Sequence, residues 1–293
     1  MLNRILFRRE QTQIAIISGL VAACSFLPGQ LVLANVEPLS SPTIDNIWDK
    51  PFQSAKVKPV PDLLLHEPHQ AQDPLNSAYP VPWSWILDTQ AEFTEKQESG
   101  MRYYRTSALV SPDGQYAAYS RIQMQAGSQL YESRVTSVLF LEDLQTGKLR
   151  VIDAESPIIE HFATEQHNSE TSGIVSILMP VSWSAQSDRL LSRQFEGFLS
   201  TSDATDYAVV WERQTNDTST LSPASENYTT AILLGWSQEK PDQVLFRAGI
   251  LGNESWQNWS VALDGQTAIA NEENPLIYGE PLTRTWMGVQ AFK

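Results

Sequence analysis

One plan recurs three times between Tyr103 and Ala270: an apolar run, a tight turn opening on serine, a second apolar run, a polar connection and a hairpin. A single unit of this kind cannot bury its own apolar faces, so neighbouring units must stack over a shared core. In the first unit Ala108-Leu-Val110 meets the turn Ser111, Pro112, Asp113, Gly114, then Tyr116-Ala-Ala-Tyr119 follows. Thr136-Ser-Val-Leu-Phe-Leu141 then turns at Gln145-Thr-Gly147 into Leu149-Arg-Val-Ile152. The second unit runs from Ile177-Leu-Met179 through Trp183-Ser184, Leu190 and Tyr207-Ala-Val-Val-Trp211 to Leu221. The third runs from Ala231-Ile-Leu-Leu234 through Trp236-Ser237, Val244-Leu-Phe246 and Trp259-Ser-Val-Ala262 to Ile269. About four short strands per unit, at a spacing of roughly 40 to 70 residues, predict an all-β fold. The expected architecture is a β-propeller-like array of about three to four four-stranded units, with an open three-sheet array or twisted sandwich as the alternative. Trp183 and Trp236 stand just before the turn serine in equivalent places, which reads as core.

In Ser-Pro-Asp-Gly, proline presets φ at the second position and glycine relieves crowding at the fourth, so the turn joins antiparallel strands Thr106–Val110 and Tyr116–Ile122. Here the chain resembles the TolB-like, or PD40, β-propeller repeats, marked by Ser-Pro-Asp-Gly followed by apolar residues and an aromatic, as in Gly114-Gln-Tyr-Ala-Ala-Tyr119. Units two and three keep the serine but replace the rest with Ala185-Gln-Ser-Asp188 and Gln238-Glu-Lys-Pro-Asp242. The resemblance covers about 170 of 293 residues and implies a propeller-type fold and a tendency toward protein–protein contacts. The stretch from Pro82 to Gly279 also looks like a family of exported cyanobacterial proteins, which brings no function with it.

Residues 1–34 read as an export signal: Arg4, Arg8 and Arg9 precede the apolar stretch from Ile14 to Ala23, and Val32-Leu-Ala34 is a small-residue cleavage site. Cleavage after Ala34 gives a soluble chain in the periplasm or thylakoid lumen. Val21-Ala-Ala-Cys24 resembles a lipobox in which Cys24 is lipidated, and an uncleaved anchor is the third route. Membrane contact is expected only through an uncleaved signal or a lipid on Cys24. Nine prolines between residues 38 and 82 make 35–82 a tether or wrap that touches the folded domain at a few points. A proline-free stretch from Trp83 to about Glu95 predicts a short helix, and 83–293 is the folded domain.

The formal charge of −14 becomes more negative by two once residues 1–34 are removed, which repels phosphate backbones and argues against nucleic acid as a partner. No nucleophile elbow, phosphate loop, paired-cysteine site or His-Glu-x-x-His helix is present. His66 and His69 lack further ligands at metal-binding spacing, His161 and His167 flank an acidic loop, and Asp203 with Asp206 reads as a turn cap rather than a calcium loop. No cofactor, metal or catalytic residue is expected. Trp256 and Trp259, in the polar context Gly252-Asn-Glu-Ser-Trp-Gln-Asn-Trp-Ser260, are the candidate binding residues. The expectation is a non-catalytic exported module that binds a protein or envelope component. A hydrolase with a site in a propeller funnel and a carbohydrate-binding module using exposed tryptophans are the alternatives. The tail Thr283–Phe292 alternates with period two and is expected to pair with chain before Ser111, closing the ring.

Overall fold

Trp83–Lys96 forms helix α1, which turns Trp85, Ile86 and Phe93 inward and stops where Gln97 adopts φ 53°. The computed structural model describes residues 73–160, 173–225, 228–282 and 287–290. After α1 comes strand β1 (Gly100–Arg105), and then the first unit: β2 (Ala108–Val110), β3 (Tyr116–Ala126), β4 (Arg134–Asp143) and β5 (Leu149–Ile152). The second unit is β6 (Ile174–Trp183), β7 (Arg189–Phe198), β8 (Ala204–Glu212) and β9 (Thr218–Leu221). The third is β10 (Thr230–Trp236), β11 (Gln243–Gly249), β12 (Gln257–Ala262) and β13 (Thr267–Ile269). Each unit is an antiparallel meander in sequence order, so the fold is all-β with one helix ahead of the first unit.

The turn serines do the same work in each unit. Ser111, Ser184 and Ser237 donate their backbone N–H to the carbonyl of Tyr116, Arg189 and Gln243 respectively, closing each tight connection. Ser111 Oγ also accepts from Tyr116 N–H and donates to Asp113 Oδ1 at 2.6 Å, so the serine and aspartate brace the turn from within. Gly114 sits at φ 68° and its N–H bonds Ser111 O; the equivalent Ser187 takes φ 61° and bonds Ser184 O. Glycine is therefore used at Gly114 for its backbone angle. The expected crowding there is not found, because a Cβ added at Gly114 would meet nothing within 4 Å.

Two tryptophans tie the units together. Trp183 is fully buried and its indole N–H reaches back to Leu109 O of the first unit at 3.1 Å. Trp236, equally buried, donates to Trp183 O of the second at 2.9 Å. A large apolar ring whose one donor is spent on the preceding unit serves both packing and register.

The first two units are merged through a short parallel pairing of β4 and β6, Val135 with Val175 and Thr136 with Ser176, which no local sequence pattern announced. The third unit is a separate four-stranded sheet whose β10 lies against β8. The tail runs past the opening strands of all three units, bridging at Trp236 with Leu276 and at Trp183 with Tyr278. It then forms β14 (Glu280–Leu282) on β2 and β15 (Gly288–Gln290) on β1. The expected pairing of the tail with chain before Ser111 is thus present. It adds edges to the first unit's own sheet and closes no ring among the described residues. Thr283 to Trp286 and Ala291 to Lys293 lie outside them.

Candidate functional site

The site is organised by one buried cation. Strand β7 is buried on both faces, and in its middle Arg193 has no solvent exposure at all. Such a guanidinium must spend its donors on protein groups. Nε donates to Asp206 Oδ1 at 2.7 Å, and Nη1 and Nη2 straddle Asp73 at 2.7 and 3.2 Å. Nη1 also donates to Tyr79 O at 2.6 Å. Asp73 in turn accepts the backbone N–H groups of Leu75, Ser77 and Val81, so one carboxylate folds residues 73–81 into a strap and fastens that strap to the sheet. Asp206 Oδ2 accepts Leu233 N–H of β10 at 3.0 Å, which joins the second unit to the third. Asp206 was expected to cap a turn; it lies inside β8, which begins at Ala204, and is wholly buried. Burial pushes its pKa up to about 6, against the pull of Arg193 and the Leu233 N–H. Burial pushes Asp73 the same way, but Arg193 and the strap's N–H groups outweigh it and hold that carboxyl below its ordinary value.

The strap and β10 form two walls of a cleft of about 850 Å³. Pro74, Leu75 and Asn76, directly after Asp73, form one side; Ile232 and Leu234, flanking Leu233, form the floor. The same two groups that ion-pair with Arg193 therefore set both surfaces. The third side is Arg247 on β11, the loop from Leu251 to Trp256 that follows it, and Gln257 and Asn258 at the start of β12. Trp256 can lie across the end of β11 only because Gly249 has no side chain: a Cβ there would fall 2.8 Å from the indole Cγ. The indole N–H donates to Asn253 O at 3.0 Å within its own loop. Arg247 Cζ stands 6.0 Å from the ring centroid.

The two candidate tryptophans therefore part company. Trp256 is half-buried and lines the cleft, whereas Trp259 is opposite Phe246 and Ile269 in the third sheet and packs on that sheet's core. Asn76, Asn253, Asn258, Glu254 and Glu272 line the same cleft, and none of their side chains makes a hydrogen bond to another described residue. Sequence reasoning named Trp256 and expected 35–82 to touch the domain at a few points, as Asp73 and Tyr79 do, but it did not name Arg193 or Arg247, which join them only through tertiary folding. The turn residues Ser111, Pro112, Asp113 and Gly114 lie elsewhere and act structurally: Asp113 N–H donates to Ser187 Oγ, and its carboxylate pairs with Arg213 at 2.8 Å.

A second buried carboxyl, Glu196, accepts from Ser156 Oγ, Ile158 N–H and Gln194 Nε2, and burial pushes its pKa up. It staples the connection after β5 to β7 beside a pocket of about 180 Å³. Among the described residues no group of three or more His, Cys, Asp or Glu side chains is placed to hold a metal ion. His66, His69, His161, His167 and Cys24 lie outside those residues. No helix of the described residues is long and apolar enough to cross a membrane. No family model matches this chain, and no curated protein matches it significantly.

Proposed function

We propose that this chain is an exported, non-catalytic recognition module that binds another protein or a component of the bacterial envelope, and that the cleft beside Trp256 is its binding surface. One observation carries the reading: an aromatic ring and an aliphatic floor are surrounded by amide and carboxylate side chains whose hydrogen-bonding capacity is not used within the described residues. The walls are fixed by buried ion pairs, so the surface is preorganised, and preorganisation lowers the ordering cost of binding. Export is supported by the basic start and short apolar core of residues 1–34. The Ser-turn meanders support reading the domain as an open, TolB-like, propeller-like array of three four-stranded units.

The test is in-envelope cross-linking followed by capture of the tagged full-length protein. Wild type is expected to recover a specific partner that Trp256→Ala and Arg247→Glu lose while keeping the wild-type melting temperature within a few degrees. Recovery of the same partner by both variants would place the binding surface elsewhere.

A further inference from the structure

We propose that the cleft takes a glycan strand of neutral, equatorially substituted pyranoses, such as β-1,4-linked glucose or N-acetylglucosamine. This rests on the reading of the cleft as the binding surface and adds the chemistry of what fills it.

Four features of the cleft select that chemistry. First, the indole N–H of Trp256 is already held by Asn253 O, so what the half-buried side chain offers a ligand is the part of the ring that Gly249 and Arg247 leave uncovered. A pyranose with equatorial substituents presents a flat face of axial C–H groups, which suits such a ring. Second, Asn76, Asn253 and Asn258 each bring one acceptor and two donors with no partner among the described residues. Adjacent sugar hydroxyls, each both donor and acceptor, match amides of this kind. Third, the ionic groups are of mixed sign, with Arg247 against Glu254 and Glu272, so no single-sign field attracts a phosphate or a polyanion.

Fourth, the floor is closed to a peptide strand. A peptide in extended form binds a sheet through free backbone groups along an edge. On β10 three of those groups are taken: Ala231 N–H by Thr205 Oγ1, Leu233 N–H by Asp206 Oδ2, and Leu234 O by the Tyr79 hydroxyl. Side chains are then the main groups β10 presents to the cleft, and side chains are how a glycan is held. The volume of about 850 Å³ lies within the range of small-ligand pockets.

The experiment is calorimetric titration of the full-length protein with cellohexaose and with hexa-N-acetylchitohexaose. Saturable binding of at least one sugar is expected, weakened about tenfold or more by Trp256→Ala, which removes the stacking surface. Because Trp256 also packs against the core, Asn253→Ala supplies a second variant: the Asn253 side chain is exposed at the cleft and bonds no other described residue, so its loss should weaken binding severalfold with an unchanged melt. Binding that both variants leave intact would overturn the proposal, as would no binding of either sugar. In the latter case the cross-linking result separates the two readings. A partner lost on Trp256→Ala would keep the cleft as a protein-binding surface, and a partner retained would remove the cleft from recognition altogether.

Discussion

Replacing Arg193 by Met is the sharpest perturbation of this fold. Methionine fills much of the same channel through β7, so the loss is chiefly electrostatic. It leaves Asp206, with no exposure, and Asp73, almost none, facing each other without a cation, and it strips Tyr79 O of its donor. Removing one partner of a buried ion pair costs about 3–5 kcal/mol. Here one guanidinium serves two carboxylates, yet either carboxyl can take up a proton and limit the penalty, so about 4 kcal/mol at pH 7.5 is expected. For a domain of this size that is a fall in melting temperature of about 10 °C. Urea melts of the full-length protein at pH 7.5 and pH 5 measure it. The cost should shrink by at least half at pH 5, where the orphaned carboxyls protonate. Asp73→Asn together with Asp206→Asn in the Met background should recover a similar share at pH 7.5. A loss under about 1 kcal/mol, or the same loss at both pH values, would refute the view that Arg193 stabilises by neutralising buried charge.

Asp206 has its own pH signature. Its folded pKa of about 6 lies above the ordinary 3.8, so its contribution to stability is complete below pH 3.8 and lost as pH rises through 6. At about 1.4 kcal/mol per unit this amounts to about 3 kcal/mol, and Asp206→Asn should flatten the stability–pH curve between pH 4 and 7; an unchanged slope counts against the assignment. Asp73 acts oppositely and only at lower pH, its contribution being lost as pH falls below its ordinary value. Gly114→Val should cost about 1–2 kcal/mol through its positive φ alone, with no clash to relieve, and an unaltered melt would mean the turn relaxes freely. Deleting residues 287–293 removes β15, so the edge of β1 at Tyr103–Arg105 loses its partner; a cost of about 2 kcal/mol and self-association on sizing chromatography are expected, and an identical melt and elution would show β15 contributes nothing. A fusion of residues 1–40 to a reporter should cross the inner membrane, and Cys24→Ala should leave maturation unchanged; reporter retained in the cytoplasm ends the export proposal, and a shift of the mature protein from membrane to soluble fraction on Cys24→Ala shows that the lipobox is used.

The features legible in the sequence are those fixed locally. Most of strands β2 to β13 contain the apolar runs because each hairpin is set by its own turn chemistry, and Ser187 shows the serine turn surviving without Pro-Asp-Gly. Helix α1 ends one residue beyond the expected Glu95. What was not legible depends on residues far apart in the chain. Arg193 and Asp73 are separated by 120 positions, and the parallel pairing of β4 with β6 has no turn to mark it. Ser202-Asp-Ala-Thr-Asp206 read as a turn because short polar residues favour turns, but the last of them already faces the core. One signal was available: an arginine in the middle of a run that forms a doubly buried strand requires acidic partners, and only a carboxylate brought in from elsewhere could serve.

The same buried groups also govern which sheet edges remain open. Sheet edges invite strand addition, and this chain covers several with its own ends: β14 on β2, β15 on β1, and the strap's Tyr79 hydroxyl on Leu234 O of β10. Thr205 and Asp206 take the N–H groups of β10 that would otherwise be free. An ion pair that only stabilised could be replaced by packed apolar side chains at little cost. Asp206 could not, because its second oxygen seals a strand edge; nor could Asp73, because its oxygens shape the strap that forms a cleft wall. The buried triad is thus better explained by positioning than by stability: it fixes the spacing between the Pro74–Asn76 wall and the Ile232–Leu234 floor.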